Sequence, residues 1–171
     1  MTESDSQQKL EPPSPPQRAP HLQRLSKIWL KSPVYFITTS THDRLRVLDR
    51  DTAHSIFRAE WLAAESRHGW QVGRYVIMPD HVHFFCCATA TAKPLAEFLQ
   101  RWKEWTAKAL LTSLSLHPPL WQHRFFDHLL RSDESYAEKW LYVRENPVRA
   151  ALVARAEDWP YAGHIHFDEP R

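Results

Sequence analysis

The alternation of apolar and polar residues predicts a series of strands and helices that begins near Val34. Runs rich in β-branched and aromatic residues predict strands, whereas apolar residues in helical register predict amphipathic helices. The predicted strands are Val34–Thr41, Trp70–Met78, His81–Ala88 and Trp121–Leu130. The predicted helices are Asp51–His68, Thr91–Leu111 and Asp133–Asn146. Gly69 is placed to cap the first helix, and Pro147 ends the third because it disfavours helical geometry at the residue before it.

The order of these elements is strand, helix, strand, strand, helix, strand and a final helix. A Pro-Asp turn at Pro79 joins the second and third strands, so we expect them to form a β-hairpin. This order is typical of the split βαβ, or ferredoxin-like, fold. We therefore predict an α+β sandwich with an antiparallel sheet in βαββαβ order and an appended C-terminal helix.

Both ends of the chain differ in composition from this folded region. Residues 1–20 are rich in proline among serine, glutamine and glutamate, so we predict a disordered tail. Residues 21–32 form a basic linker, and its Arg24, Lys27 and Lys31 could contact phosphates or simply be solvated. The folded domain is predicted at residues 33–163, and residues 164–171 are expected to be frayed.

Composition excludes several classes of protein. Only three of the 171 residues are glycine, and the sequence contains neither a dinucleotide-binding fingerprint nor a Walker-type phosphate loop. Adjacent Cys86 and Cys87 lack the spacing of a zinc knuckle, and we expect them in the core. The chain has no apolar run of membrane-spanning length and no signal-peptide pattern, so we expect a cytoplasmic protein. The net charge of +2 does not by itself indicate a nucleic-acid partner.

His81 and His83 are separated by one apolar residue at the start of a predicted strand. Because side chains alternate faces along a strand, both imidazoles project from the same side of the sheet. Two such imidazoles are half of a metal site, which would need one or two further ligands. The alternative is a pair of solvated or backbone-bonded histidines. The same spacing recurs at His164 and His166, which we interpret as an exposed tail, so spacing alone is a weak signal.

Tyr142 and Asn146 lie four residues apart on the third predicted helix and therefore share one of its faces. A phenol and an amide oxygen would then point the same way. The alternative is an interfacial tyrosine and a helix-capping asparagine. Tyr136 on the same helix is a rival nucleophile, but it faces a different direction and has Trp140, not an amide, four residues on.

Four segments in this order give the chain a family resemblance. They are MPDHVHFF, WQHRFFDHLLR, YVRENPVRAALV and DWPYAG. Between residues 33 and 163 the chain resembles the REP-associated tyrosine transposases of bacteria, which belong to the single-tyrosine HUH nucleases. The resemblance implies a ferredoxin-like transposase domain that cleaves and transfers single-stranded DNA at REP-like hairpins, as in DNA transposition and recombination.

The resemblance also implies a role for each motif residue. His81 and His83 match the HUH metal ligands, Asn146 matches the polar residue that completes the metal site, and Tyr142 matches the nucleophile. Family members use a divalent cation, Mg²⁺ or Mn²⁺. Tyr142 would attack the scissile phosphate, leaving a 5′-phosphotyrosine and a free 3′-hydroxyl. The residues are consistent with this chemistry, because a phenol is a weak nucleophile that needs a phosphate activated by a metal.

Basic and aromatic residues could form the DNA path, although many of them suit ordinary surface or core positions. The candidates for DNA binding are Arg24, Lys27, Lys31, Lys103, Arg124, Arg131, Arg144 and Arg149. Lys139 could assist the Tyr142 phenol, but we favour a solvated lysine paired with a neighbouring glutamate. Trp121 and Phe125 could stack on bases, but aromatic residues of a strand are more often core.

Two other functions stay open at this point. One is a domesticated hairpin-binding protein that no longer cleaves DNA. The other is a metal-dependent hydrolase that uses His81 and His83 with a water nucleophile, and with Asp80 or Asp127 as a further ligand.

The expected partner is single-stranded DNA that forms imperfect hairpins, with no membrane involved. We expect a monomer, with a homodimer as the alternative, in the bacterial cytoplasm and on the nucleoid when bound to DNA.

Overall fold

A computed structural model describes residues 33–130 and 133–169 of the chain. These residues form a five-stranded sheet with the strand order β4-β1-β3-β2-β5. The strands are β1 (Val34–Ser40), β2 (Trp70–Met78), β3 (His81–Ala88), β4 (Phe126–Leu130) and β5 (Ala162–His164). The helices are α1 (Asp51–Leu62), α2 (Ala64–His68), α3 (Leu95–Ser113), α4 (Asp133–Arg144) and α5 (Asn146–Arg149).

The predicted fold class is confirmed. Each neighbouring pair of strands is antiparallel, and β4-β1-β3-β2 is the order of a ferredoxin-like sheet. β5 extends this sheet beyond β2 and was not predicted. β4 is shorter than predicted, because Trp121 forms an isolated bridge with Thr41 and regular pairing starts only at Phe126.

The predicted tail at residues 1–20 and basic linker at 21–32 lie outside the described residues. They therefore stay predictions, as does any contact of Arg24, Lys27 or Lys31 with DNA. Within the described ranges, no helix combines the length and the apolar character needed to cross a membrane.

Alternation along β3 separates the two faces of the sheet. Val82, Phe84 and Cys86 belong to a large apolar core, which includes buried side chains of α1 and α3 such as Trp61 and Trp102. We call this side the helix face. The opposite side, which we call the site face, carries His81, His83, Phe85 and Cys87, and Phe85 and Cys87 belong to a second and smaller core. The two cysteines are thus both buried, as predicted, but on opposite faces.

Helix α4 covers part of the site face. The rings of Tyr136 and Trp140 lie 4.5 and 6.4 Å from the ring of Phe85, measured between centroids. Val143, one turn further along, is buried as well. Residues three and four positions apart share one face of a helix, so these side chains form the stripe that packs on the sheet.

The boundary between α4 and α5 follows from Pro147. The predicted helix ends at Asn146, whereas α4 ends at Arg144 and α5 begins at Asn146. Proline lacks the N–H that would donate to the carbonyl of Val143, and it suits the first positions of a new helix. The helix is therefore interrupted at Glu145, and α5 follows with Pro147 in its first turn.

The prediction of a frayed end is wrong for residues 164–169. β5 pairs with β2, and the Nδ1 atom of His166 accepts a hydrogen bond from the Val72 amide at 3.0 Å. Phe167 is 7% exposed and lies over Gly73, where a β-carbon would come within 2.4 Å of its ring. The irregular pairing of β2 with β3 between Val72 and Tyr75 includes this glycine, so the sheet itself provides the space that Phe167 fills.

Candidate active site

His81 lies at the first position of β3 and is oriented by the residue before it. Its Nδ1 atom lies 2.6 Å from Asp80 Oδ1, so the carboxylate accepts the Nδ1–H. Arg44 forms an ion pair with the same carboxylate at 3.3 Å. This arrangement leaves Nε2 as the nitrogen of His81 that can bind a cation. A carboxylate that fixes the tautomer of a histidine is a common feature around metal ligands.

His83 is oriented from the neighbouring strand. Thr38 is its partner in the β1–β3 register, and Thr38 Oγ1 lies 2.8 Å from His83 Nδ1. Burial, followed by the positive charges of His81, Lys139, Arg44 and Arg149, lowers the pKa of His83 to about 3. The imidazole is therefore neutral at physiological pH, which is the form that binds a metal ion.

The two imidazoles and the end of α4 line one cavity of about 410 Å³. The centroids of the two imidazole rings are 4.7 Å apart, and the rings are nearly perpendicular, at 86°. Tyr142, which is 63% exposed, and Asn146 line the same cavity. The cavity is completed by Met78, Arg149 and Ala150. The fold thus brings together the predicted ligand and nucleophile residues from two distant parts of the sequence.

Arg149 contacts both Tyr142 and Asn146. Its guanidinium donates hydrogen bonds to the backbone oxygen of Tyr142 at 2.6 Å and to the side-chain oxygen of Asn146. It also lies 4.1 Å above the centre of the Tyr142 ring. The sequence predicts Arg149 only as one of several DNA contacts and does not indicate its contacts with Tyr142 and Asn146.

The donor atoms at this cavity fit a divalent cation. Two neutral imidazole nitrogens and one amide oxygen form a mixed set that leaves positions open for phosphate oxygens or water. Among the described residues no cluster of three or more histidine, cysteine, aspartate or glutamate side chains could hold a metal, and the amide oxygen of Asn146 would be the third donor beside the two imidazoles. Asp80 orients His81, and Asp127 is the register partner of Ile37, which belongs to the helix face.

Tyr136 is the rival nucleophile, and the structure places it in the core. It is 2% exposed, and its hydroxyl donates a hydrogen bond to the backbone oxygen of Asp168 at 3.0 Å. Burial raises the pKa of Tyr136 to about 12, despite the opposing effect of Arg74. A buried hydroxyl that is already bonded cannot reach a phosphate in the cavity. Of the two tyrosines on α4, only Tyr142 borders the cavity.

The predicted DNA-binding residues fall into different environments. The Nζ atom of Lys103 donates to the backbone oxygens of Gln122 and Arg124 at 2.8 and 3.0 Å, and burial lowers its pKa to about 8. Lys103 therefore holds the loop before β4. Arg144 pairs with Glu157, whereas the side chains of Arg124 and Arg149 are exposed. Arg131 lies outside the described residues, like the three candidates of the linker.

The remaining aromatic and basic candidates have structural contacts. Trp121 is 7% exposed, and its Nε1 donates to Thr106 Oγ1 at 3.0 Å, so its interpretation as a core residue is confirmed. Phe125 is partly buried against the same core. Lys139 is half-buried with its ammonium 5.2 Å from the centre of the Phe36 ring, which corrects the prediction of a solvated lysine.

Thr38 is a residue of the candidate site that sequence reasoning missed. It lies 45 positions before His83, and nothing in its local sequence marks it. The antiparallel pairing of β1 with β3 would have identified it, because register partners share one face of a sheet.

Comparison with curated proteins finds relatives along most of the chain, although no family model matches it. The REP-associated tyrosine transposase of Escherichia coli (strain K12) is 25% identical over 145 residues, which cover 85% of this chain and 84% of the relative. A protein of Haemophilus influenzae that carries the same name provisionally is 26% identical over 147 residues, covering 81% of this chain and 82% of the relative.

Comparison with solved structures shows the same fold. A REP-associated tyrosine transposase bound to a REP hairpin superposes with a TM-score of 0.64 at 20% identity, covering 80% of this chain and 79% of the other. A provisionally named transposase of Deinococcus radiodurans R1 has a TM-score of 0.51 at 18% identity and covers 68% of this chain and 92% of the other. The resemblance to the REP-associated tyrosine transposases, first based on motifs, is confirmed.

Proposed function

We propose that this relative of the REP-associated tyrosine transposases cleaves and rejoins single-stranded DNA next to REP-like hairpins, with Tyr142 as the nucleophile. The observation that carries the proposal is the shared cavity of His81, His83, Tyr142 and Asn146. These residues are the ones that the family resemblance assigns to chemistry, and they come from β3 and from the α4–α5 corner. A purely structural role would not require an exposed tyrosine beside two imidazoles.

The cation-binding part of the site is formed by Nε2 of His81, Nε2 of His83 and Oδ1 of Asn146. Asp80 holds His81 in the tautomer that presents Nε2, and Thr38 occupies Nδ1 of His83, which leaves Nε2 of His83 for the cation. A bound Mg²⁺ or Mn²⁺ would supply Lewis-acid chemistry, since it would neutralise charge on a phosphate oxygen. The protein itself contributes rigid placement, because both imidazoles belong to the second strand of a β-hairpin within the sheet.

Tyr142 performs the covalent step. Its Oη attacks the scissile phosphorus, a new phosphorus–oxygen bond forms, and the bond from phosphorus to the 3′-oxygen breaks. The phenol proton passes to water, which reaches the side chain because it is 63% exposed. The leaving 3′-oxygen takes up a proton and becomes a free hydroxyl. A 3′-hydroxyl that attacks the phosphotyrosine in the reverse direction restores the phosphodiester and releases the phenol.

The proposed substrate is a DNA hairpin with a single-stranded flank. The solved relative with the same fold is bound to a REP hairpin, and the curated relatives of this chain are named for association with REP sequences. Arg124 and Arg149 are exposed cations of this chain that can contact phosphates. Arg149 also borders the cavity, so it is placed to meet the strand where cleavage occurs.

The experiment that tests this proposal is a covalent-capture assay with the full-length protein. End-labelled hairpin oligonucleotides with single-stranded flanks, taken from repeats of the host genome, are incubated with Mg²⁺ or Mn²⁺. We expect a labelled protein–DNA adduct that survives denaturation and that disappears with chelator. A hairpin whose flank sequence is scrambled serves as the substrate control.

Hairpin binding is measured in parallel by gel shift. Specific binding without any adduct under either cation would favour the domesticated, non-cleaving protein over the transposase. Cleavage without a covalent intermediate would instead favour a water nucleophile and the metal-dependent hydrolase.

A further inference from the structure

Arg149 differs from other arginines of the described chain in the partners of its guanidinium. Arg74, Arg144 and Arg155 pair with the carboxylates of Asp168, Glu157 and Asp158. Within residues 33–130 and 133–169, no carboxylate pairs with Arg149, whose contacts are the backbone oxygen of Tyr142, its ring and the amide oxygen of Asn146. Its positive charge at the cavity is therefore not neutralised by an acidic side chain.

The contact with Asn146 has a consequence for cation binding. Oδ1 of Asn146 accepts a hydrogen bond from Arg149, and the same oxygen completes the proposed donor set with His81 and His83. A cation at that oxygen would meet a guanidinium of like charge at close range, which is unfavourable near a protein surface. The guanidinium and the cation therefore compete for one oxygen atom.

We infer that Arg149 is a two-position residue: it holds Asn146 and Tyr142 in the free protein and turns to the scissile phosphate when a cation takes its place at Asn146. This inference rests on the proposed function. Its side chain is exposed, so the guanidinium can leave Asn146 without disrupting a buried contact. Arginine suits the second position, because its planar fork matches two phosphate oxygens.

In the free protein the same guanidinium acts as a positioning residue. It lies 4.1 Å above the ring of Tyr142 and bonds to the Tyr142 backbone oxygen, across the break between α4 and α5. The exposed phenol is thereby held against the corner that also carries Asn146.

The test compares Arg149→Met and Arg149→Lys with the wild-type protein in two assays. Mn²⁺ affinity is measured without DNA, by electron paramagnetic resonance of the free ion. Adduct formation is measured at saturating Mn²⁺. We expect Arg149→Met to bind Mn²⁺ about fivefold or more tightly, since the competing charge is gone. We expect the same variant to form adduct about 100-fold more slowly, since a donor to the phosphate is lost.

Arg149→Lys separates charge from shape. A lysine keeps the positive charge but lacks the planar fork, so Mn²⁺ affinity should stay near the wild-type value and adduct formation should recover in part. Arg155→Met is the matched control, because Arg155 is exposed and paired with Asp158. It removes the same charge close by in the sequence and should change neither measurement.

Opposite changes in the two assays are the signature of this inference, because a merely structural role would weaken both. If Arg149→Met binds Mn²⁺ no more tightly than wild type, the competition is disproved. Tighter Mn²⁺ binding with unchanged adduct formation would overturn the phosphate contact. If the wild-type protein itself neither binds Mn²⁺ nor forms adduct, the proposed function has failed, and that result is distinct from the other two.

Discussion

Helix α4 divides the site face into a closed half and an open half. In the closed half, Tyr136 packs on Phe85 and Phe167, and its hydroxyl is bonded to the backbone of Asp168. In the open half, Tyr142 is 63% exposed beside the cavity that His81 and His83 line. The two tyrosines lie on one helix, yet one of them is buried in the core and the other is exposed at the cavity.

The difference between the halves lies in what covers the sheet. The C-terminal residues 164–169 and α4 together enclose the closed half, whereas the open half ends at a cavity. Polar groups in the closed half are satisfied by protein atoms, such as Arg74 with Asp168 at 2.5 Å. In the open half, the donor atoms of His81 and His83 that face away from Asp80 and Thr38 have room for a ligand. The packed half and the half that carries the candidate site thus occupy neighbouring parts of one surface.

The largest expected difference between the halves is that between the two tyrosines. Tyr142→Phe should lower adduct formation by about three orders of magnitude or more, because it removes the attacking oxygen while the ring still packs. Tyr136→Phe should leave adduct formation unchanged and cost about 1 kcal/mol of stability, the usual value of one hydrogen bond. Covalent capture and thermal unfolding measure the two effects. A reversed result, with the adduct lost only in Tyr136→Phe, would exchange the roles of the two halves.

The second expected effect concerns the cover of the closed half. Phe167→Ala should lower the free energy of unfolding by about 2–4 kcal/mol, because a buried ring is lost and a cavity remains over Gly73. Leu141→Ala is the control: Leu141 is a large apolar residue of α4 that is 60% exposed, and its loss should cost at most about 0.5 kcal/mol. Chemical denaturation measures both.

If Phe167→Ala does not fold, the free energy of unfolding is measured for the milder variant Phe167→Leu instead. Folded Phe167→Leu should retain the wild-type affinity for Mn²⁺. A stability equal to wild type in both Phe167 variants would show that the C-terminal residues do not hold the closed half.

The third effect tests how the open half is oriented. Thr38→Val removes the hydroxyl that contacts His83 and should weaken Mn²⁺ binding about tenfold to 100-fold. Thr39→Val is the matched control. Thr39 is the next residue of β1, and its buried hydroxyl has no hydrogen-bond partner among the described residues. Removal of this hydroxyl should therefore leave stability unchanged or increase it. Equal Mn²⁺ affinities of the two variants would argue against an orienting role for Thr38.

The smallest effect is the alkaline pH dependence of the closed half. Burial raises the pKa of Tyr136 from 10.0 to about 12, so the folded state holds this proton more tightly than the unfolded state. The resulting stabilisation is complete below about pH 10 and is lost as the pH rises towards 12. The melting temperature of wild type relative to Tyr136→Phe should therefore fall in that interval. A constant difference between pH 9 and 12 would contradict the burial of this hydroxyl.

Local sequence was sufficient for most of the elements. The hairpin of β2 and β3 has the predicted bounds, because Trp70–Met78 and His81–Ala88 are apolar runs on either side of a Pro-Asp turn. Gly69 caps α2 with a φ of 73°, as its position predicted. Short-range periodicity failed at β5, a three-residue strand, where too few residues exist to show an alternation.

The sequence by itself singled out the candidate site residues, since the motifs name His81, His83, Tyr142 and Asn146 without any coordinates. It also determined the strand on which both imidazoles share one face, because that alternation is local. Only the tertiary structure decided that Tyr142 is exposed and Tyr136 is buried, that Thr38 orients His83, and that Arg149 bonds to Asn146. These outcomes depend on packing between segments far apart in the chain, and local periodicity carries no information about which distant surfaces meet.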